Sequence, residues 1–308
     1  MTLLATLVPL LVIAVIVALV LLVQLTPASL AASVERLARR VNLALDDDVR
    51  DEVMRFQRRR VVASALGALA AAGVVLVLVP TDSSLRSGAI VLGVFGGVAM
   101  GVAVAALLHA RRAHRDAADR AAPSAGRLTP VHIADLVPSG ERRGMPIALA
   151  VGAVLVLVIL LGLGLTDQLD QLDPTAMAVA FGLLALAATS TLLWWALGTR
   201  IARWRPIGGG TQALAWSDAL RSLTLRDMIA LPLTAAIYAP LVLLGELISL
   251  AEPPVAIIAG AGLGLLALVV LVVSIVAAAL QASPASPRNP AQHYQRRLWP
   301  ELAHGGAR

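Results

Sequence analysis

Residues 146–165 read PIALAVGAVLVLVILLGLGL, a run with no charged side chain and no polar stripe to turn towards water. A helix that is apolar all round belongs inside lipid or deep inside protein. At 1.5 Å per residue, about 20 such residues cover the roughly 30 Å of hydrocarbon in a bilayer. A strand of a membrane barrel would alternate polar and apolar positions, and this run does not. Working outward, six further stretches have the same character, at 3–25, 61–79, 89–108, 177–197, 229–250 and 255–280. Lipid satisfies no backbone polar group, so an open chain crosses it only as helix. The expected fold is all-α: a polytopic transmembrane helical bundle of about seven spans forming one membrane domain over residues 1–281, with amphipathic cytoplasmic helices and a tail over 282–308.

Composition agrees. Of 308 residues, 58% are hydrophobic and only 14% charged, whereas soluble domains run nearer half apolar and a quarter charged. There is no cysteine, which excludes disulfides, thiolate nucleophiles and cysteine-ligated zinc. The net charge is +6 and every basic residue is arginine; with the alanine, valine and leucine load, this suggests a GC-rich bacterial genome. A basic balance suits nucleic acid or anionic lipid. Here the arginines flank apolar blocks, so the lipid bilayer is the expected partner and nucleic acid is not.

Direction follows from where the arginines fall, because cytoplasmic loops retain them. Arg36, Arg39, Arg40, Arg50, Arg55, Arg58, Arg59 and Arg60 lie between the first and second spans. The third-to-fourth connection carries seven more, the fifth-to-sixth five and the tail four, which leaves Arg86 alone on the other side. That other side holds Asp82, Asp167, Asp170, Asp173 and Glu252. The reading is a bacterial inner-membrane protein with its N-terminus outside and its C-terminus cytoplasmic. The first span has no positive side chain ahead of it and is too long for a signal-peptide core, so it is expected to stay.

The connections have local structure of their own. Over 26–60, Val34, Leu37, Val41 and Leu45 recur at helical spacing among charges. Asp48 is placed to cap a second helix that runs past Gln57 to Arg58, Arg59 and Arg60 at the membrane face and enters the membrane there. Together with Arg111 and Arg112 these form a candidate surface for anionic lipid or for a cytoplasmic partner protein. Thr129-Pro130 reads as a helix start. Gly208, Gly209 and Gly210 read as a joint, without the lysine and strand of a phosphate loop. After them Ser217 or Asp218 can cap a helix leading to the sixth span, with Arg221 and Arg226 at the headgroups. The prolines at 284, 287 and 290 predict an extended, flexible cytoplasmic tail.

Within the spans, Glu246 is the one carboxylate well inside an apolar block. An intramembrane ionisable group is a functional candidate by default. Tyr238 lies about two turns away in the same span, and Pro232 and Pro240 can kink it. Glu246, Tyr238 and Pro240 are therefore the candidate intramembrane set; hydration of Glu246 near the outer interface is the plainer alternative. Gly93, Gly97 and Gly101 form a ladder that permits close helix approach, within the chain or between two copies as a homo-oligomer. Trp194 and Trp195 read as interfacial anchors. His109, His114 and His132 lack a ligand spacing, so no metal is expected. Neither a nucleophile–base pair nor a nucleotide motif is present, so no catalytic residue, cofactor or enzymatic activity is expected.

Asp48-Val49-Arg50 ahead of the second span and Asp218-Ala219-Leu220-Arg221 ahead of the sixth suggest an internal repeat of helical hairpins. The segments 48–60, 128–138 and 216–228 (the last reading WSDALRSLTLRDM) resemble those of uncharacterised multi-pass integral membrane proteins of high-GC bacteria. The resemblance implies a topology and no activity. The functional expectation is a permease-like or accessory subunit of a transport system; the alternative is a non-catalytic membrane scaffold or regulator.

Overall fold

The computed structural model of the chain describes residues 2–78, 86–119, 131–165, 167–203, 210–250 and 289–300. These are helical nearly throughout, with no strand among the described residues. The helices are α1 Thr2–Gln24, α2 Pro27–Val41, α3 Asp47–Leu78, α4 Arg86–Asp119, α5 Ile133–Leu136, α6 Ser139–Leu165, α7 Pro174–Arg203, α8 Thr211–Leu250 and α9 His293–Leu298.

Five of them carry segments long and apolar enough to cross a membrane: Val49–Val77, Gly93–Arg112, Ser139–Leu165, Pro174–Arg203 and Thr211–Ile248. A sixth is added if the pair Leu10–Gln24 and Pro27–Val41, bent by 71°, counts as one. The chain is thus multi-pass with five or six apolar helices. The expected seventh span at 255–280 lies outside the described residues, as does the Thr129-Pro130 helix start.

The bend between α1 and α2 is built locally. The Thr26 hydroxyl accepts the Ser29 N–H at 3.3 Å, and Pro27 takes the first helical position, where a missing N–H is harmless. α2 closes on Asn42 at φ 52°, the left-handed conformation that asparagine tolerates better than most side chains. The Asp46 carbonyl then receives the N–H groups of Val49 and Arg50, so α3 starts just ahead of the expected Asp48 cap.

α3 runs unbroken from the charged segment into the apolar one, and so does α8. Ser217 and Asp218 lie in the second turn of α8, which starts at Thr211, and are buried, so neither caps a helix. With 40 residues, α8 is about 60 Å long, twice the hydrocarbon thickness. It is the hub of the bundle: α4, α6 and α7 all pack on it, α3 lies along α4, and α1 leans on α3.

Small residues set the helix spacing. A Cβ added to Gly97 would meet the Gly67 carbonyl, and one on Gly101 would meet the Ala63 carbonyl. Gly93 faces Val75 of α3. The glycine ladder of α4 is therefore filled within the chain by α3, and does not lie open to a second copy. On α6, Gly152 meets Ala236 of α8 in the same way. Ala180, Ala187, Ala235, Ala236 and Ala239 are fully or almost fully buried between α6, α7 and α8. The outer faces carry Leu22, Leu161, Leu192 and Leu193, each more than half exposed, as helices bathed in lipid require.

The largest cluster of buried side chains is not mid-bundle. It gathers one end of α3, α4, α6, α7 and α8 together with α2, α5 and α9. Val34, Leu37 and Val41 of α2 pack there with Val53 and Phe56 of α3. The apolar stripe of the 26–60 segment is thus covered by protein, and only its charged face is outward.

Candidate functional site

The four arginine-rich segments meet at that end. Arg60, the last residue before an apolar run, donates from Nη2 to Asp227 Oδ1 at 2.9 Å. Next to Asp227 on α8, Arg226 forks onto Glu141: Nε lies 2.8 Å from Oε2 and Nη2 lies 2.8 Å from Oε1. Glu141 stands in the first turn of α6, where a carboxylate is favoured by the helix dipole. One point on α8 thereby fastens both α3 and α6. The Arg226 and Asp227 side chains are only 16% and 11% exposed. Charge-assisted bonds so shielded from water are stronger than surface pairs. Deleting one partner would leave a desolvated charge.

Arg40 of α2 stands within electrostatic reach of this group. Its guanidinium is held below the ordinary arginine value, first by burial and then by the positive charges of Arg226 and Arg60, against the pull of Asp227 and Glu141. Three cations here face two carboxylates.

Beside them the α2–α3 elbow is tied by side-chain donors. A helix end leaves carbonyls without partners. The Arg40 carbonyl accepts from Asn289 Nδ2 at 3.2 Å, and the Asn42 carbonyl from Gln295 Nε2 at 3.2 Å. The Ala44 carbonyl accepts from Gln212 Nε2 at 2.6 Å and Trp216 Nε1 at 2.7 Å. Residues 289–300 are therefore helical and docked where an extended tail was expected, and the flanking 282–288 and 301–308 lie outside the described residues. Tyr294 is fully buried; burial, and then the charge of Asp218, push its phenol above the ordinary value. Trp299 Nε1 donates to Asp218 Oδ2 at 3.1 Å, and Arg221 lies 3.7 Å from the same carboxylate.

The candidates named from sequence are not brought together. Glu246 and Pro240 are buried on α8 and Tyr238 is half-buried. Glu246 lies nineteen residues beyond Asp227, about 29 Å along the helix axis. Pro240 has no N–H for the Ala236 carbonyl four residues earlier, and that carbonyl is the one that abuts Gly152. Of the basic surface set, Arg58, Arg111 and Arg112 are exposed and Arg59 is half-buried. Arg60 is instead turned inward to Asp227. The expectation that Arg221 and Arg226 face headgroups is corrected by their pairing with Asp218 and Glu141. Trp194 is not an interfacial anchor: it is fully buried and donates from Nε1 to the Leu225 carbonyl at 2.8 Å, while Trp195 is 40% exposed. His109 is buried against Phe56 with ring centroids 4.9 Å apart. Among the described residues no group of His, Cys, Asp and Glu is placed to hold a metal ion.

Glu141 and Asp227 were not singled out by sequence reading, and Asp218 and Arg226 were read as a helix cap and a headgroup contact. The only local signal was an Arg-Asp neighbour pair immediately before an apolar run, which names no partner. No family model, curated protein or solved structure matches the chain.

Proposed function

We propose that this chain is a bacterial plasma-membrane protein, N-terminus outside and C-terminus cytoplasmic, that acts as a permease-like or accessory subunit of a transport system. The observation that carries the reading is Glu246, a buried carboxylate inside the apolar part of α8. Ionisable residues inside apolar spans mark substrate, ion or proton pathways. α8 contacts α4, α6 and α7 and holds Pro232 and Pro240 in its interior. Proline removes an intrahelical bond and allows a hinge. The same helix bears Arg226 and Asp227 just ahead of its apolar part and Glu246 near its far end, so movement at the carboxylate reaches the arginine-rich end through one element. The reading is non-enzymatic.

Proteoliposomes carrying a pH-sensitive dye and an imposed membrane potential test this. The intact protein is expected to pass protons, and Glu246→Gln to reduce the flux at least tenfold with an unchanged melting midpoint. Equal flux from both proteins contradicts the transport reading. The scaffold or regulator reading is favoured by the exposed Arg58, Arg111 and Arg112; it predicts loss of activity on neutralising these three while Glu246→Gln has no effect.

A further inference from the structure

We infer that residues 289–300 act as a releasable strap. Docked, they hold the elbow between α2 and α3 against α5 and α8; undocked, they free that elbow while the apolar helices stay packed. The inference rests neither on the direction of the chain in the membrane nor on transport. It begins with reach. On the elbow, Asn289 and Gln295 donate to the Arg40 and Asn42 carbonyls. On α5, His293 Nε2 lies 3.0 Å from the Ala134 carbonyl oxygen, and Arg297 lies 4.0 Å from Asp135. On α8, Trp299 holds Asp218. α2 itself packs chiefly on α3 and on this segment, and Gln212 and Trp216 of α8 meet the elbow at the single Ala44 carbonyl.

Release strands nothing on the body's side. Arg40 and Asn42 are exposed, so water takes over their carbonyls. Asp218 keeps Arg221 at 3.7 Å, and Asp135 keeps the His132 N–H at 3.0 Å. No buried charge loses its last partner, which is the expensive event. On the strap's side one group opposes docking. The Tyr294 hydroxyl is buried with no hydrogen-bond partner among the described residues, and the neighbouring Gln295 amide is turned to Asn42. An unpartnered buried polar group disfavours the state that buries it. Docking therefore depends on Ala291, the Tyr294 ring and the half-buried Leu298 and Trp299, which join the cluster at this end, and on a few side-chain bonds. α9 has six residues, too short to persist as a helix alone in water. Its contacts and its helix are lost together, so the segment has two states, docked and helical or free and unfolded.

Backbone hydrogen exchange of the full chain in detergent micelles, resolved by mass spectrometry, reads both parts. The elbow reporter is the Leu43 N–H, bonded to the Ala38 carbonyl at 3.1 Å. The strap reporter is the Trp299 N–H, bonded to the Gln295 carbonyl at 2.7 Å, and α7 is the control. Tyr294→Phe keeps the ring and removes the hydroxyl, so it is expected to slow both reporters about threefold or more. Asn289→Ala combined with Gln295→Ala is expected to speed both about tenfold and to leave α7 unchanged. Faster exchange of the strap with the elbow unchanged would overturn the proposal, because the segment would then be a passive tail. Faster exchange of α7 as well would overturn it too, since the segment would then belong to the global fold. Unchanged or faster exchange in Tyr294→Phe would contradict the opposing role given to the hydroxyl, and with it the readiness of the strap to open.

Discussion

Trp194→Ala is expected to destabilise the protein by about 3–5 kcal/mol, the range for emptying a buried tryptophan site. The indole is wholly enclosed by the cluster at the arginine-rich end, and its Nε1 holds the Leu225 carbonyl of α8 at 2.8 Å. Truncation therefore leaves a cavity and also breaks the link between α7 and α8. Trp194→Phe keeps most of the volume and loses the donor, so its cost should be nearer the roughly 1 kcal/mol of a single hydrogen bond. Trp195 provides the internal comparison. It touches Trp194 edge-on, with centroids 5.0 Å apart, yet is 40% exposed, and Trp195→Ala should cost far less. Denaturant titration of the three variants in one detergent checks the order. Equal losses from Trp194→Ala and Trp195→Ala would mean that the buried end is not the anchor described.

Gly97→Leu is expected to cost about 3 kcal/mol or more, at or above the upper end of ordinary overpacking. The reason is that backbone, not a pliable side chain, occupies the space. A Cβ on Gly97 would run into the Gly67 carbonyl, and one on Gly67 into the Gly97 carbonyl. α3 and α4 would have to separate along their whole contact. Gly96 is the control: nothing lies within 4 Å of a Cβ built there, so Gly96→Leu should be tolerated. The loss at Gly97 should not depend on protein concentration, because the contact is within one chain. A concentration-dependent loss would instead mark the ladder as an interface between copies.

The apolar helices were legible because lipid leaves a direct trace, a run of residues with no polar face. Their extents were less legible. Asp218 has the local look of a cap, but the cap rule knows nothing of Trp299, which reaches it from 81 positions away. With no glycine or proline between Gly210 and the span start at Ile229, the charged and apolar parts of α8 form one helix. Trp194 and Trp195 differ by only 100° around one helix, and packing of α7 on α8 decides which is buried. The ion pairs were the least legible part of the site. Arg60 and Asp227 are separated by 167 positions, and Arg226 and Glu141 by 85. A charge at a span end reads as a headgroup contact until the fold supplies its partner. The sequence-level suspicion of Glu246, by contrast, needed no partner, only its place inside an apolar block.

The central claim is a multi-pass chain whose arginine-rich end lies inside the cell. The absence of cysteine makes single-cysteine labelling the direct test. Ser139 at the start of α6 and Gln171 beyond its other end are both exposed, and each can be replaced singly in intact cells. A membrane-impermeant maleimide should label Gln171→Cys from outside, and should reach Ser139→Cys only after the membrane is opened. Labelling of Ser139→Cys in intact cells, or equal labelling of both positions, would contradict the account.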